Sequence, residues 1–584
     1  MGRDKTGAFR TAKSGASSAS AAAMVASMGG GGTGLTFASF DPSAPTVDQD
    51  LDPEINMVLK KLSKRDPTTK VKALAELAAF FDVSGGRDED AIALALPQWQ
   101  SCFAAIGLDP DRRVREAFFA THKVLAGRVK RQMAKYVKPL MLPWLCARFD
   151  VDPSVRSAAN ASFSAFFPPN KVAEALAFCA TDLVRGADEM LAHTAQTLCD
   201  PKLYSPEEAS ETYERCTAAT LLALSHSLDQ LPDDKAAALL LPSTALTRPS
   251  FWKFATHASV LVRAALYTLS RSIALRAPAL LDPPAPSAVG APQPGNSVPD
   301  LPEAGPSLML KAAAAAVLGG VGDKDPGAHV QMWEAVLTFV KTYPQALSLV
   351  DVSKAVLPRL FALIRAGAHG SASESFPCLA PLLLLLASSS DAAAGGACTN
   401  GAAHLGVLSA LWAALPVLKS DSKGSNAALE AFRECLTLAW HLKAKGGGKW
   451  GVDLEEEVLA PALQALLRRE EPACSRAKLQ STIVACIEAA ATRPNLQPVR
   501  ADVLSTLSRA LLSSPPLSAP STCPSDAPPR LAALLAALAS GAGRECAALQ
   551  AEVAGVAAVV APLCASRGEG PRNAPCPRRG RRGG

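Results

Sequence analysis

No CxxC pair occurs anywhere in the chain. Its 14 cysteines are scattered, and the closest pairs, Cys474/Cys486 and Cys564/Cys576, are twelve residues apart. That spacing excludes a disulfide framework and the paired ligands of a zinc site, and it fits reduced, buried thiols in a cytosolic or nuclear protein. The eight histidines lie equally far apart, and His122 and His257 read as ordinary helical residues rather than ligands. Walker A, GxSxG and HExxH are all missing, which removes the common routes to phosphoryl transfer, acyl transfer and metal-assisted hydrolysis. The glycine run at 29–34 precedes no strand–helix unit and ends in no Lys-Ser/Thr, so it is no phosphate cradle. No catalytic residue, metal site or cofactor is therefore assigned. The longest apolar run, residues 377–387, is much too short to span a bilayer, so no membrane contact is expected. Aromatics are 5% of the chain, and few stretches are rich in Val, Ile and Thr, which argues against an extensive sheet.

What remains is helix-forming and apolar. Hydrophobic residues make up 49% of the 584 positions and charged residues 19%, with Ala and Leu dominant. This mixture favours helices packed closely through small side chains. Ile55, Val58, Leu59 and Leu62 form a stripe at helical spacing, and Val71, Leu74, Leu77, Ala78 and Phe81 form a second. An internal repeat marks the breaks between such helices. Asp66-Pro67, Asp109-Pro110 and Asp152-Pro153 are each 43 residues apart, followed by Val71-Lys72, Val114-Arg115 and Val155-Arg156. The third Val arrives two residues early, and Val262-Arg263 reads as a further copy. Asp accepts hydrogen bonds from the free N–H groups of a helix start, and Pro suits the first turn because it needs no donor there. Val then points to the core, and the basic residue sits beside the seam between repeats, within reach of a neighbouring Asp. Helix pairs with a period of about 40–47 residues are the signature of HEAT or armadillo arrays. The expected fold is all-α: a HEAT/armadillo-like α-solenoid with disordered N- and C-terminal segments.

The expected organisation follows from composition. Residues 1–50 are a low-complexity tail, 51–281 an N-terminal HEAT-like domain, 282–307 a Pro-rich linker, 308–442 further HEAT-like repeats, 443–512 additional helices, and 513–584 an Ala/Pro/Arg-rich tail. Loops are expected at 388–403, 420–426 and 443–449. The first residues are basic and rich in Ser and Ala, as a transit peptide is, and MGRDKT fits a loose myristoylation pattern; a disordered tail is the reading adopted. The three consecutive acids Glu455, Glu456 and Glu457 are expected at a helix start, where acids stabilise the dipole. Trp144 and Trp252 are expected as core anchors.

Charge supplies the candidate function. The net charge is +6, and between Arg112 and Lys138 nine Lys or Arg residues face a single acid, Glu116. The candidate docking residues are Arg112, Arg113, Arg115, Arg128, Lys130, Arg131, Lys135 and Lys138, toward RNA phosphates or an acidic protein surface. Arg112, Arg115 and Arg128 cannot all share one helix face. Arg115 also occupies the seam position of the repeat, and the sequence leaves both roles open for it.

Particular segments resemble a known family. MVLKKLSKRDPTTKVKAL at 57–74, LPQW at 96–99, LDPDRRVREA at 108–117, YVKPLMLPWL at 136–145 and FFPPNKVAEALAFC at 166–179 are similar to listerin sequences. So are SFWKFATHASVLVRAALYTL at 250–269, DPGAHVQMWEAVLTFV at 325–340 and LPRLFALIRAGAHG at 357–370. The likeness covers roughly residues 1–440. It implies the N-terminal portion of a RING-type E3 ubiquitin ligase of ribosome-associated quality control. Such a ligase acts on large ribosomal subunits that hold stalled nascent chains, which are ubiquitinated and then degraded by the proteasome. The implied partners are the large subunit, with its rRNA and ribosomal proteins, and the factor that recognises the obstructed subunit. The implied location is the cytosol, on ribosomes. Zinc and the E2 enzyme belong to the RING, whose eight Cys/His ligands are not found here, so the chain is expected to be an N-terminal fragment, a truncated gene model or a shortened form, inactive by itself. The alternative expectation is a general HEAT scaffold or transport adaptor without a ligase role.

Overall fold

The computed structural model describes residues 51–83, 86, 88–199, 204–283, 308–390, 397–420, 422–445, 451–468 and 476–513, with short helical stretches within 533–538 and 547–558. Among the described residues there is no strand, and no helix is long and apolar enough to cross a membrane. The longer helices are α1 (Pro53–Lys61), α2 (Pro67–Phe81), α3 (Leu96–Gly107), α4 (Arg112–Val129), α5 (Val137–Arg148), α6 (Pro153–Phe166), α7 (Val172–Ala192), α8 (Pro206–Gln230) and α9 (Val260–Arg276). They continue as α10 (Leu308–Gly319), α11 (His329–Thr342), α12 (Leu357–Arg365), α13 (Leu379–Ser390), α14 (Ala397–Ala414), α15 (Lys423–Lys445), α16 (Ala460–Arg468), α17 (Arg476–Thr492) and α18 (Gln497–Leu512). They stack in series. One row runs α2, α4, α6, and a second runs α3, α5, α7 beside it. α8 packs on α5 and α7, then α9 on α8 and α11 on α9; α13, α15 and α17 prolong the stack. Each helix buries its apolar stripe only against near neighbours, which is the architecture of a solenoid.

The Asp-Pro markers do what their chemistry predicts, with one displacement. Asp66 caps α2, accepting from the N–H of Thr69 at 2.8 Å, and Asp152 caps α6, accepting from Ser154 N–H at 2.9 Å. In the middle copy the cap is Asp111, accepting from Arg113 N–H at 2.8 Å, and Asp109 stands two residues before it. Asp109 instead accepts from Asp111 N–H at 2.9 Å and takes the Lys70 ammonium at 2.6 Å. The same arrangement recurs where Asp150 binds Asp152 N–H and Arg115, and where Asp323 binds Asp325 N–H and Arg263. Counted from the caps Asp66, Asp111, Asp152 and Ser259, the equivalent basic residues are therefore Lys70, Arg115, Arg156 and Arg263. The expected equivalence of Val71-Lys72 with Val114-Arg115 is off by two positions: Lys72 is exposed and Lys70 is buried. A two-residue shift turns a side chain by about 200° around a helix, so of these two lysines only Lys70 reaches the seam.

The core of the first repeats is aromatic. Trp99 stacks on Phe118 with centroids 4.7 Å apart, His122 lies parallel to both, Phe103 meets Phe118 and His122 edge-on, and Trp144 meets His122 edge-on. Trp144 and Trp252 are buried as expected, and Trp144 Nε1 donates to Ser162 Oγ at 2.8 Å. All four stripe residues from Ile55 to Leu62 are buried.

Three expectations change. The loop expected at 388–403 is helical at both ends, in α13 and α14, and α15 begins at Lys423 inside the loop expected at 420–426. The serines there cap or lie on Ala-rich helices whose propensity outweighs them. α15 also runs through the boundary drawn at 442, and Lys443 on it reaches Glu455 at 2.7 Å. Glu455 lies in a helical first turn as expected, and it is 1% exposed. The segments 1–50 and 284–307, the centre of the third loop at 446–450, and most of 514–584 lie outside the described residues.

Candidate functional site

The basic run divides between the two ends of α4. Arg112 and Arg113 lie in its first turn and Arg128 in its last, about 24 Å apart along the axis at 1.5 Å per residue. At the first end the Arg112 and Arg113 side chains are 61% and 60% exposed, touching only the capping carboxylates of Asp152 at 3.4 Å and Asp111 at 2.7 Å. Those carboxylates are held below the usual range. Ser154 does this first for Asp152, and the Arg113 side chain first for Asp111. They therefore stay charged and neutralise part of each guanidinium.

Arg115 belongs elsewhere. Its side chain is 3% exposed, and it grips Asp150 through Nε at 2.8 Å and Nη2 at 3.0 Å. Its Nη1 donates to the carbonyls of Asp109 and Pro110. Arg156 and Arg263 fold back in the same way on carbonyls six and five residues earlier. Arg215 adds a second cation 3.6 Å from Asp150. Arg115 is thus withdrawn from the docking set. Its position four residues after the cap turns it into the seam, where every donor facing Asp150 is matched.

At the other end, α4 gives way to a tight 3-10 turn at Lys130–Tyr136. Lys130 sits at φ 43°, a left-handed conformation unusual for a side-chain-bearing residue. Its ammonium lies 3.3 Å from Glu89, and Lys138 lies 3.8 Å from Asp182 and over the Phe178 ring. Arg128 is half-buried in the last turn of α4, and Lys135 lies against Tyr136. Arg131 and Lys135 are exposed, with no carboxylate partner among the described residues.

The structure brings three further cations to the Arg112 end. Lys64 and Arg65, on the loop before α2, are exposed without an acidic partner among the described residues, and Lys72, in its second turn, is exposed with its charge acting on Asp66, behind the larger effect of the Thr69 hydrogen bonds on that carboxyl. The two helix starts are adjacent because Lys70 reaches across to Asp109. Asp66 is close enough to raise the pKa of Arg113, behind the larger effect of Asp111. The signal was present in the sequence, since a 43-residue repeat stacks equivalent loops side by side; counting charges along one run could not reveal it.

This arrangement can hold anions. Among the described residues no group of three or more His, Cys, Asp or Glu is placed to hold a metal ion. The zinc implied by a RING therefore finds no ligand set in them. The buried cysteines are inert thiols; burial pushes Cys102, Cys146 and Cys486 up to about 12.

The sequence matches the family described as E3 ubiquitin-protein ligase listerin, N-terminal domain, over residues 47–292 and 297–386. An E3 ubiquitin-protein ligase listerin from Mus musculus is 32% identical over 397 residues, 67% of this chain and 20% of that protein. The Gallus gallus protein of the same name is 32% identical over 58% of this chain and 18% of its own length, and that of Drosophila melanogaster 29% over 59% and 19%. The chain thus spans about a fifth of the length of these relatives. Among solved structures, a Kap121p mutant aligns with a TM-score of 0.33 and 14% identity, covering 85% of this chain and 50% of that one.

Proposed function

This chain belongs to the listerin family, and from that premise we propose that it is the docking arm of an E3 ubiquitin-protein ligase of the ribosome quality control complex. The arm holds large ribosomal subunits with stalled nascent chains, so that these chains are ubiquitinated and degraded by the proteasome. Transfer itself, with its zinc and its E2 enzyme, is assigned to a RING and to none of the residues described here. The setting is the cytosol, on ribosomes, beside the factor that recognises the obstructed subunit.

The observation that carries this reading is the exposed cationic edge at the starts of α2 and α4, formed by Lys64, Arg65, Lys72, Arg112 and Arg113. The helix N-termini beneath it are already occupied by the capping carboxylates of Asp66 and Asp111, so the edge rests on the side-chain cations. Such an edge reads phosphates by charge, without base specificity. The rigid seam of Lys70–Asp109 and Arg115–Asp150 fixes its spacing from beneath.

The test is co-sedimentation of the chain with purified large ribosomal subunits. Reversing Lys64, Arg65, Arg112 and Arg113 to Glu is expected to lower affinity at least tenfold at low salt, with the melting temperature unchanged. Undiminished binding by this variant would refute the edge as the docking surface. Reversal of Arg131 and Lys135 tests the opposite edge in the same assay.

A further inference from the structure

A groove of about 1000 Å³ lies between the repeats at α9, the α10–α11 connection and α12, well away from the cationic edge. Its centre is Tyr267. The residue is 1% exposed, yet its hydroxyl reaches the groove and has no hydrogen-bond partner among the described residues. A hydroxyl with no protein partner at the wall of an open groove is free to donate to a group that enters it.

The backbone around it is built to admit this geometry. The Tyr267 ring lies directly on Gly320, where a methyl group would sit 2.8 Å from the phenol oxygen. Arg359 lies across the neighbouring Gly319 and Gly322, with Nη1 3.4 Å from the Gly319 carbonyl. The far wall is the turn Gly367-Ala368-His369, three successive residues at φ 60°, 48° and 51°. Two of them carry side chains, and such strain persists where a binding surface needs it. Buried His329 holds this wall in place, linking the Asp323 carbonyl at 2.9 Å to Ser371.

The charges select the occupant. Asp323 is fully engaged by Arg263, through bonds of 2.7 and 2.9 Å, so that pair offers no net charge. Lys324 and Arg359, both exposed, then face Asp325, which Arg263 also approaches at 4.0 Å. One carboxylate entering the groove would accept from the Tyr267 hydroxyl and pair with Arg359 and Lys324. With the Arg263–Asp323 pair neutral and Asp325 opposing Lys324 and Arg359, the groove suits a single anionic group, which fits one carboxylate of a peptide and not the row of phosphates of a nucleic-acid strand. We propose that this groove binds an acidic segment of a partner protein, seating one Asp or Glu side chain against Tyr267, Arg359 and Lys324. This inference stands apart from ribosome docking, which uses other residues.

The test is selection of phage-displayed random decapeptides on the full chain, followed by fluorescence polarisation of the enriched peptides. Enriched peptides are expected to share one Asp or Glu. They should weaken at least fivefold when that acid becomes Asn or Gln, at least fivefold with Tyr267→Phe, and at least tenfold with Arg359→Glu. Both variants are expected to retain the wild-type melting temperature and wild-type sedimentation with ribosomal subunits, which separates this site from the docking edge. No enrichment, enrichment of peptides lacking an acid, equal affinity for both variants, or displacement by oligo(U) would overturn the proposal.

Discussion

Arg112 and Arg115 share one turn of one helix, yet the first side chain is 61% exposed and the second 3%. Their substitutions should diverge accordingly. Arg115→Ala leaves Asp150 buried with only Arg215 beside it, and is expected to cost about 3–5 kcal/mol by urea denaturation. Arg112→Glu should stay within about 0.5 kcal/mol of wild type. His122 offers a second contrast at this scale. Its Nδ1 accepts from Trp99 Nε1 at 3.2 Å, so the proton sits on Nε2, and burial pushes its pKa down to about 3. Because the folded pKa lies below the unfolded value near 6.5, the unfolded chain takes up a proton first as pH falls. The contribution of His122 is therefore complete above about pH 6.5 and is lost downward at about 1.4 kcal/mol per pH unit. Melting temperature against pH should fall more steeply between pH 6 and 4 for wild type than for His122→Phe. Parallel curves would contradict the assignment. None of this was legible from charge counts, because two arginines three positions apart differ only in which side of the helix meets the next repeat.

Helix starts and ends were the most legible elements. Asp-Pro at 66 and 152 is a cap in both places, since Asp supplies the acceptor and Pro the missing donor. Asp66→Ala and Asp152→Ala are each expected to lose about 1 kcal/mol, read from the midpoint of denaturation. The middle copy was misplaced because DPD offers two carboxylates two residues apart, one for the cap and one for the seam. Lys130 gave no signal at all, as nothing in its local sequence demands a left-handed residue. Lys130→Gly should stabilise the turn by about 1 kcal/mol; destabilisation by the same measure would show that the Glu89 pair outweighs the strain. Loops expected from Ser and Gly at 388–403 were overestimated, because Ala-rich helices extend into them.

At the scale of the whole chain, the solenoid was readable from stripes such as Ile55 to Leu62, whose residues are all buried. The surfaces between repeats were not readable. The cationic edge combines residues near 64–72 with 112–113, and the Tyr267 groove combines residues near 257–267, 319–326 and 359–369. Only the repeat register, corrected by two positions at Lys70, brings such distant segments together. A quasi-one-dimensional array also keeps the two surfaces independent, because each repeat contacts only its neighbours.

The claim on which the account turns is that Lys64, Arg65, Arg112 and Arg113 meet ribosomal phosphates directly. The measurement that tests it is the salt dependence of binding to large subunits, wild type against the variant with all four reversed to Glu. If the four contact phosphates, wild-type affinity should fall about 50- to 150-fold more steeply than the variant's between 50 and 200 mM salt. Identical slopes for the two proteins would contradict it.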